Sequence, residues 1–382
     1  MSEVTYGLDK SSRIATFVID TAGPVNTVGQ LFLADLEKAI QRAKLDDVKG
    51  VIIVSGKKKS FLDGANLKEI LSGSTASIVR HVVLRYQESL AELAKSSFPV
   101  VAILDGQTAL GGGFELLLWA CDHVFSTADS RLGLPEVNVG LFPVGGGTYT
   151  LPKIAGFKAA VDLIAGGKVN SAESCSNAGF ITICESRELE SMAKQWLVSH
   201  YGIFNRNYDP DYCEADSLSL AEKREILDVA RSRYCVCLYR PYIPAALDSI
   251  ERGLNLGLDE AARRDVDLFV QLLGNPNSRN KIDLFGLVTS LGPRLVKGDP
   301  RQAVKVDKIA IIGSGLMGSG IAQVAAEKGL NVTLIDVDSE TCRKAVEKIG
   351  KTLQGLVDLG KWSKKRKESV MMNLDWTTDY SR

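Results

Sequence analysis

The chain has 382 residues, which is long for one domain, so two or three domains are expected. Hydrophobic residues make up 45% of it and charged residues 24%, as in ordinary soluble globular proteins. The 46 basic and 46 acidic residues cancel, so there is no global positive field that would favour nucleic acid or a membrane surface as a partner.

The remaining composition excludes several classes of protein. Seven cysteines, an odd number, with no signal or transit peptide predict reduced thiols and a cytoplasmic location. No apolar run reaches the roughly 20 residues that a membrane span needs. The sequence predicts no metal site, because its three histidines lie far apart and form no metal-binding motif: His81, His123 and His200.

The first quarter of the chain alternates between predicted strands and helices. Strands are predicted at Ile14–Asp20, Val51–Val54 and Pro99–Leu104, and helices at Gln30–Ala43 and Ile78–Lys95. Between them, the segment from Lys57 to Ile70 predicts a turn that runs into a helix. This alternation predicts an α/β layer architecture.

The stretch from Asp105 to Glu136 carries the residues best suited to chemistry. A run of glycines, 111–113, comes just before Glu115, and Glu136 ends a Gly-Leu-Pro-Glu run. An apolar helical segment and a short strand, His123–Thr127, are predicted between the two acids. Bare backbone N–H groups at a helix N-terminus suit an oxyanion. Two glutamates can share the work of adding or removing water by general acid and base catalysis.

The part of the chain that follows Glu136 is predicted to be mostly helical. The segment 143–147 contains one proline and three glycines, which predicts a loop that opens a helix near Thr148. Helical patterns then run, with short breaks and a polar surface connection at 204–217, up to a linker. The predicted segments are Ala159–Tyr201, Ser219–Val236, Tyr242–Asn255 and Leu258–Leu273, and the linker is Pro293–Lys305.

A glycine-rich turn near the end of the chain predicts a dinucleotide site. Gly313, Gly315 and Gly318 follow a predicted strand and open a helix, and the next strand ends in Asp336. The glycines let the backbone approach a pyrophosphate, and the acid would take the ribose hydroxyls of NAD. A dinucleotide fold normally has two such halves, and since the chain ends at Arg382 this unit is predicted to be incomplete.

Four motifs in the first 190 residues resemble the crotonase (enoyl-CoA hydratase/isomerase) superfamily: SFLDGANLKEI, ALGGGFE, LGLPE and GLFPVGGGTYTLP. The later segment GSGLMGSGIAQVAAEKGLNVTLIDVD is similar to the opening of L-3-hydroxyacyl-CoA dehydrogenases. The order of these parts resembles the multifunctional fatty-acid β-oxidation enzymes. The resemblance implies an α/β fold: a crotonase-like spiral of β-β-α units over 1–190, a helical extension and linker over 191–304, and a partial Rossmann βαβ unit over 305–382.

The resemblance also implies roles for four residues in an enoyl-CoA hydratase site. The backbone N–H groups of Ala65 and Gly112 would form the oxyanion hole for the thioester oxygen of a 2-trans-enoyl-CoA. Glu115 and Glu136 would activate the water and carry the proton at the α-carbon. In this family hydration needs both acids, whereas double-bond isomerisation can run on the later one alone. Having both favours a hydratase that forms 3-hydroxyacyl-CoA.

Some features depart from the family pattern. Asn66 stands where the family usually has aspartate, and Val144 stands where glycine is common. The segment from Gly106 to the glycine run and the segment from Glu115 to Asp122 are each one residue longer than usual. An extra helical residue would rotate the next part of the chain by about 100° unless a bulge absorbs it. The alternatives are another crotonase-type reaction (enoyl-CoA isomerase or acyl-CoA hydrolase) and a non-catalytic module that binds acyl-CoA or NAD.

Further implications concern ligands and partners. Coenzyme A enters as part of an acyl-CoA substrate, and NAD would bind at the glycine-rich dinucleotide motif, residues 313–318. The catalytic His and Glu of the dehydrogenases lie in a half that is absent here, so this chain alone is not expected to oxidise a hydroxyacyl-CoA. A homo-oligomer or a complex with a thiolase is implied as the assembly. Lys57–Lys59 would either contact CoA phosphates or form a solvated turn, and Lys364–Lys367 is interpreted as a solvated helix turn.

Overall fold

The computed structural model describes residues 2–67, 69, 75–176, 179–202, 218–297, 306–359 and 362–380, with side chains except over 292–297. The chain forms two compact units, residues 1–294 and 295–382. The predicted catalytic motifs lie in the first unit, and the dinucleotide motif lies in the second. Each unit is described by itself.

The strands of the first unit form two sheets. They are β1 (Val4–Asp9), β2 (Ile14–Ile19), β3 (Gly50–Ser55), β4 (Ser60–Leu62), β5 (Val100–Leu104), β6 (Thr108–Leu110), β7 (His123–Ser126), β8 (Arg131–Gly133), β9 (Val169–Ser171) and β10 (Ile181–Ile183). The larger sheet has the order β1-β2-β3-β5-β7-β10, and it is parallel apart from β1. The smaller sheet has the order β4-β6-β8-β9, with β9 antiparallel to β8.

Helices pack around these sheets. They are α1 (Gln30–Leu45), α2 (Ala76–Ala94), α3 (Gly112–Ala120), α4 (Gly147–Ala155), α5 (Phe157–Gly166), α6 (Ala172–Cys175), α7 (Leu189–His200), α8 (Leu220–Tyr234), α9 (Tyr242–Arg252), α10 (Leu258–Gly274) and α11 (Pro276–Lys297). Helix α3 is buried along residues 113–120, as its continuous apolar sequence dictates. It therefore runs through the interior and brings the glycine run to the middle of the unit.

The helices after residue 218 share the main hydrophobic core with the sheets. Leu227 of α8, Ala246 of α9 and Phe269 of α10 are buried in the same cluster as Phe17 of β2 and Leu116 of α3. Burying apolar side chains in one continuous core couples the stability of these elements. The helical extension is therefore packed onto the sheets rather than tethered to them.

Two sequence predictions about secondary structure were wrong. The stretch 159–201, predicted as helical with breaks, contains the strands β9 and β10. Each has only three residues, which is too short for a period-2 pattern, and β10 forms by pairing with β7 and is itself the edge of the sheet. The linker predicted to begin at Pro293 begins later, because α11 continues to Lys297. The predicted surface connection at 204–217 lies outside the described residues.

The second unit is a small parallel sheet with helices. Strands β11 (Lys308–Ile312), β12 (Asn331–Ile335) and β13 (Leu374–Thr377) lie side by side in that order. The helices α12 (Leu316–Glu327), α13 (Ser339–Asp358) and α14 (Lys364–Met372) complete it. The basic run 364–367 forms the first turn of α14, with residues 364–366 exposed. The β11-α12-β12 order is the βαβ unit that the glycine pattern predicted.

Two kinds of feature are absent from the described part of the chain. No helix there combines the length and apolar character that crossing a bilayer requires. Over the same residues, no group of three or more His, Cys, Asp or Glu side chains is arranged to hold a metal ion.

Candidate active site

The three glycines 111–113 differ in how strictly the fold requires glycine. Gly111 has a φ of 54° and a ψ of −127°, a backbone conformation that a side chain would strain. A Cβ atom at Gly113 would lie 1.7 Å from the Leu62 carbonyl oxygen, so only glycine allows this close approach. Gly112 lies between them, where an added Cβ would make only ordinary contacts at 3.5 Å or more. Its backbone N–H group is the one that the sequence predicted for the oxyanion hole.

The two predicted oxyanion-hole residues lie on adjacent segments. Ala65 forms a parallel bridge with Val28, in which Val28 donates to the Gly64 carbonyl and Asn66 donates to the Val28 carbonyl. This pattern leaves the Ala65 N–H out of the bridge. Gly112 is the first residue of α3, so its N–H has no partner within the helix. The Cβ position of Gly64 lies 3.6 Å from the Gly112 nitrogen, so the turn carrying Ala65 and the start of α3 are in contact.

Glu115 is buried on the first turn of α3, with 3% of its surface exposed. Its Oε1 accepts a hydrogen bond of 2.9 Å from the Gly147 N–H. Burial raises the pKa of this carboxyl to about 7, and the nearby charge of Asp265 adds to the rise. The backbone N–H groups of Gly147 and Gly145 act in the opposite direction. A carboxyl with this pKa exchanges protons readily near neutral pH.

Glu136 begins a short 3-10 turn directly after β8. Its Oε2 is buried and makes no hydrogen bond, while its Oε1 lies 3.1 Å from the Cβ position of Gly111. Burial raises the pKa of Glu136 well above its usual value, and the charge of Glu115 raises it further. A carboxyl that keeps its proton in this way can act as an acid.

The two glutamates therefore act as one pair. Two buried carboxylates close together cannot both ionise easily, so the pair holds one proton over a wide range of pH. Burial raises the pKa of both carboxyls, and the charge of Glu115 adds to the rise at Glu136. Such a pair can hold one protonated and one ionised carboxyl, which is what acid and base catalysis requires.

The longer segment after Glu115 does not separate the acids. Helix α3 ends at Ala120, and Cys121 is already extended, with φ −96° and ψ 142°. The chain therefore leaves the helical path before Asp122, whose carboxylate accepts a hydrogen bond from the Val100 N–H at the start of β5. The charge of Glu115 still raises the pKa of Glu136, which agrees with the two carboxyls lying near each other.

Several groups around the glutamates were not identified from sequence. Tyr86 of α2 is buried, and its hydroxyl donates to the Gly112 carbonyl oxygen. The next residue, Gln87, donates from Nε2 to the Val144 carbonyl at 2.7 Å and to the Ala262 carbonyl at 2.8 Å. The sequence shows a glutamine within a predicted helix, but it does not indicate which carbonyl groups the side chain reaches.

The glycine run 145–147 is a second feature whose role was missed. The sequence predicted only that it opens a helix, and α4 does begin at Gly147. Cβ atoms at Gly145 and Gly147 would lie 2.6 Å and 3.0 Å from the Glu115 carboxylate oxygens. Gly146 has a φ of 96°, and a Cβ there would lie 2.7 Å from the Trp119 ring. This run, called the glycine turn below, wraps the carboxylate of Glu115 closely.

Lys57 and Asn66 both form contacts with other side chains of the protein. Lys57 forms an ion pair of 2.7 Å with Asp20, while Lys58 and Lys59 are exposed beside it. Asn66 donates from Nδ2 to Glu69 Oε1 at 3.0 Å. Its amide therefore supports the segment that follows the oxyanion turn.

The predicted dinucleotide site in the second unit has the expected local geometry. Gly313 has a φ of 94°, and Cβ atoms at Gly313 and Gly315 would meet nothing within 4 Å. A Cβ at Gly318 would lie 1.8 Å from the Gly313 carbonyl oxygen, so α12 packs directly on the turn. Asp336 follows β12, and its Oδ2 accepts from the Ser314 N–H at 2.7 Å and from the Ser314 hydroxyl at 2.8 Å. These bonds lower the pKa of Asp336.

These features fit a dinucleotide. The open space at the first two glycines would admit a pyrophosphate against the N-terminus of α12. Asp336 is ionised and has lone pairs left for ribose hydroxyls.

Comparison with known proteins matches each of the two units to a family. Residues 9–200 match the family model described as enoyl-CoA hydratase/isomerase, which is half of the chain. The chain belongs to the enoyl-CoA hydratase/isomerase family. Residues 308–382 match the NAD-binding domain of 3-hydroxyacyl-CoA dehydrogenase.

Curated relatives combine both parts. A peroxisomal fatty acid beta-oxidation multifunctional protein from Oryza sativa is 30% identical over 369 residues, covering 94% of this chain and 50% of that protein. A fatty acid oxidation complex subunit alpha from Pseudomonas syringae is 30% identical over 348 residues, covering 88% of this chain and 47% of that protein. The chain spans about half the length of these relatives.

A solved structure supports the fold. The enoyl-CoA hydratase from Bacillus halodurans superposes with a TM-score of 0.53 at 18% identity, covering 74% of this chain and all of that one. The resemblance to multifunctional β-oxidation enzymes and the crotonase fold expected from the motifs are therefore confirmed.

Proposed function

We propose that the first unit is an enoyl-CoA hydratase that adds water to a 2-trans-enoyl-CoA and forms a 3-hydroxyacyl-CoA in fatty-acid β-oxidation. The observation that carries this proposal is the pair formed by buried Glu115 and half-buried Glu136, with raised pKa values, beside the segments that carry the N–H groups of Ala65 and Gly112. Hydration needs a base for water and an acid for carbon, and this pair supplies one of each.

The proposed reaction uses each group once. Ionised Glu115 takes a proton from water while the water oxygen bonds to the β-carbon. The electrons of the double bond move towards the thioester oxygen, where the Ala65 and Gly112 N–H groups stabilise the developing charge. Protonated Glu136 then gives its proton to the α-carbon. Proton exchange with solvent resets the pair, and the atoms of one water molecule have been added.

The substrate would be an acyl thioester of coenzyme A. An oxyanion hole for a thioester oxygen supports this class, and the names of the curated relatives place them in fatty acid oxidation. Lys58 and Lys59 are exposed close to the oxyanion turn, where they would meet CoA phosphates. Lys57 is the weaker candidate, since it already pairs with Asp20.

The test is the loss of crotonyl-CoA absorbance at the conjugated enoyl band, with the wild type beside Glu115→Gln and Glu136→Gln. Each variant should lose about 10²–10⁴ in kcat while still binding the thioester. If only Glu136→Gln is inactive and the product is a shifted double bond, the chain is an isomerase. If the wild type binds but never turns over enoyl chains of any length, the chain is a binding module and the proposal fails.

NAD is proposed as the ligand of the second unit, where it would accept a hydride from a 3-hydroxyacyl-CoA in a complete dehydrogenase. Gly313 and Gly315 would lie against the pyrophosphate, and Asp336 would hold the ribose hydroxyls. The local fit of the turn to a dinucleotide supports this assignment.

The assembly and the location also stay proposals. A homo-oligomer or a complex with a thiolase would be distinguished by mass measurement of the chain alone and after mixing with a thiolase. The cytoplasmic location is kept as a prediction from the free thiols; the rice relative is named as peroxisomal, so imaging of the tagged chain is the direct test.

A further inference from the structure

A cluster of buried polar side chains lies behind the active site and involves the helical extension. Asp265 of α10 and Ser249 of α9 are each 3% exposed, and Thr148 of α4 is 2% exposed. The Ser249 hydroxyl donates to Asp265 Oδ2 and lies 2.8 Å from the Thr148 hydroxyl oxygen, which is 3.3 Å from the same carboxylate oxygen. A buried carboxylate is costly, so a fold that keeps one invites a functional reason.

The cluster is joined to Glu115 through one residue of backbone. Thr148 directly follows Gly147, whose N–H donates to Glu115 Oε1 at 2.9 Å. Holding the Thr148 hydroxyl therefore holds the end of the glycine turn that grips the carboxylate.

The other end of the glycine turn is held as well. Gln87 of α2 donates to the carbonyl of Val144, which directly precedes Gly145. The same amide donates to the Ala262 carbonyl on α10, one turn before Asp265. Helix α10 is thus linked to both ends of the turn, although it lies beyond residue 200, where the family match ends.

Asp265 also acts on Glu115 by charge. Its negative charge contributes to the raised pKa of Glu115, after burial. Burial raises the pKa of Asp265 itself to about 6, against the bonds from Ser249 and Thr148 and the charge of Arg252, so it is mostly ionised at neutral pH. The other titratable groups facing Glu115 are Glu136 and Tyr86.

We propose that Asp265 is a positioning residue for the base Glu115, acting through Thr148 and the glycine turn, so that the helical extension forms part of the active site. Its buried charge makes Glu115 a stronger base than burial alone would. This inference rests on the proposed hydratase function, but it can be tested without turnover.

The main test compares Asp265→Asn with Asp267→Asn. The change at position 265 keeps the size and an oxygen acceptor but removes the charge. Asp267 lies on the same helix, is 63% exposed and pairs with Arg80, so it controls for a charge change on α10. The acid limb of the pH profile of kcat should move to lower pH by roughly half a unit or more in Asp265→Asn, and should stay in place in Asp267→Asn. An unmoved limb in a folded Asp265→Asn would overturn the proposal.

A second variant covers the case in which Asp265→Asn fails to fold. Thr148→Val removes the hydroxyl and keeps the shape, while Thr148→Ser keeps the hydroxyl. Thr148→Val should lower kcat severalfold with KM unchanged, and Thr148→Ser should restore it. Equal kcat values in Thr148→Val and the wild type would contradict the positioning role.

A titration separates this inference from the proposed function. Glutamate labelled with carbon-13 at the carboxyl carbon gives each side chain an NMR signal, and Glu115→Gln identifies that of Glu115. Its titration midpoint should fall in Asp265→Asn by the same shift as the kinetic limb. A shifted midpoint in a chain without turnover would sink the hydratase and keep the role of Asp265, whereas an unshifted midpoint would sink the role of Asp265.

Discussion

The carboxyl groups of Glu115 and Glu136 lie close enough that the charge of one raises the pKa of the other, although they sit on different elements. Glu115 is on the first turn of α3, and Glu136 begins the 3-10 turn after β8. A hydrogen bond of 2.9 Å from the Gly111 N–H to the Gly133 carbonyl ties these two elements together. The pairing of the acids is thus built into the backbone.

The first prediction concerns the pH dependence of hydration. Glu115 must be ionised to accept a proton from water, and its pKa is about 7. Turnover should therefore fall as pH drops through about 7, and it should fall again at alkaline pH, when Glu136 loses its proton. Initial rates with crotonyl-CoA across the pH range test this. A rate that stays constant down to pH 5 would contradict the role of Glu115 as base.

The second prediction concerns stability. The pKa of Glu115 is raised from 4.5 to about 7 in the folded state, so the folded state binds the extra proton. Binding of this proton stabilises the folded state by about 3 kcal/mol. The stabilisation is complete at pH values below the pKa of the unfolded state and is lost as pH rises through about 7. The Tm of Glu115→Gln, measured relative to that of the wild type, should therefore rise as the pH is raised from 5 to 9.

The control for that measurement is Glu190→Gln. Glu190 is 73% exposed on α7 and pairs with Lys194. The Tm of Glu190→Gln should follow that of the wild type at each pH. If the curves of Tm against pH are parallel for Glu115→Gln and the wild type, ionising Glu115 does not destabilise the folded state, and the prediction is wrong.

The third prediction separates neighbouring glycines. Gly113→Ala forces a methyl group against the Leu62 carbonyl, and because backbone must move, it should destabilise the fold by about 3 kcal/mol or more. Gly112→Ala meets only ordinary contacts and should leave the fold nearly as stable. Urea denaturation of both variants measures the difference. Equal midpoints would mean that α3 can move away from Leu62.

The fourth prediction concerns Gln87. Replacing it by leucine leaves the Val144 carbonyl without this donor, at a cost of about 1–3 kcal/mol for the unmatched group, whereas the Ala262 carbonyl loses only a second bond because it lies inside α10 and keeps its helical partner. Gln41→Leu is the matched control, since Gln41 is exposed on α1 and donates to Glu92. Denaturation midpoints should drop for Gln87→Leu alone. A similar small change in both variants would show that the Gln87 bonds do not stabilise the fold.

The fifth prediction concerns the dinucleotide site. Asp336→Ala removes the acceptor for the ribose and frees Ser314, so it should weaken NAD binding at least about tenfold. Asp375→Ala, a change at an exposed acid on β13, should bind like the wild type. Fluorescence titration with NADH measures both. Unchanged affinity in Asp336→Ala would remove this residue from the site.

Sequence patterns identified the candidate catalytic residues, which remain a prediction, but not the groups that support them. Gly112, Glu115 and Glu136 stand in short contiguous motifs, where spacing along the chain reports geometry directly. Asp265 lies 150 positions after Glu115 by numbering, and its meeting with Thr148 depends on how α10 packs against α4. Local patterns contain no information on such a contact.

The same contrast holds for the fold. Strands β3 and β5 are apolar runs between turns, and they were predicted within a residue or two. Strand β10 has three residues and owes its form to hydrogen bonds with β7. Helix α11 continues past Pro293, although proline there predicts an end. For β10, tertiary pairing overrides local preference.

The bond from Gln87 to the Ala262 carbonyl spans 175 positions of the chain, and it has a consequence for the order in which the molecule is assembled during synthesis. Both glutamates and both backbone donors leave the ribosome long before α10 does. A nascent chain of about 200 residues would carry all four of these residues and still lack the helix that holds the glycine turn. If the first unit is the hydratase proposed above, its activity would arise only late in translation.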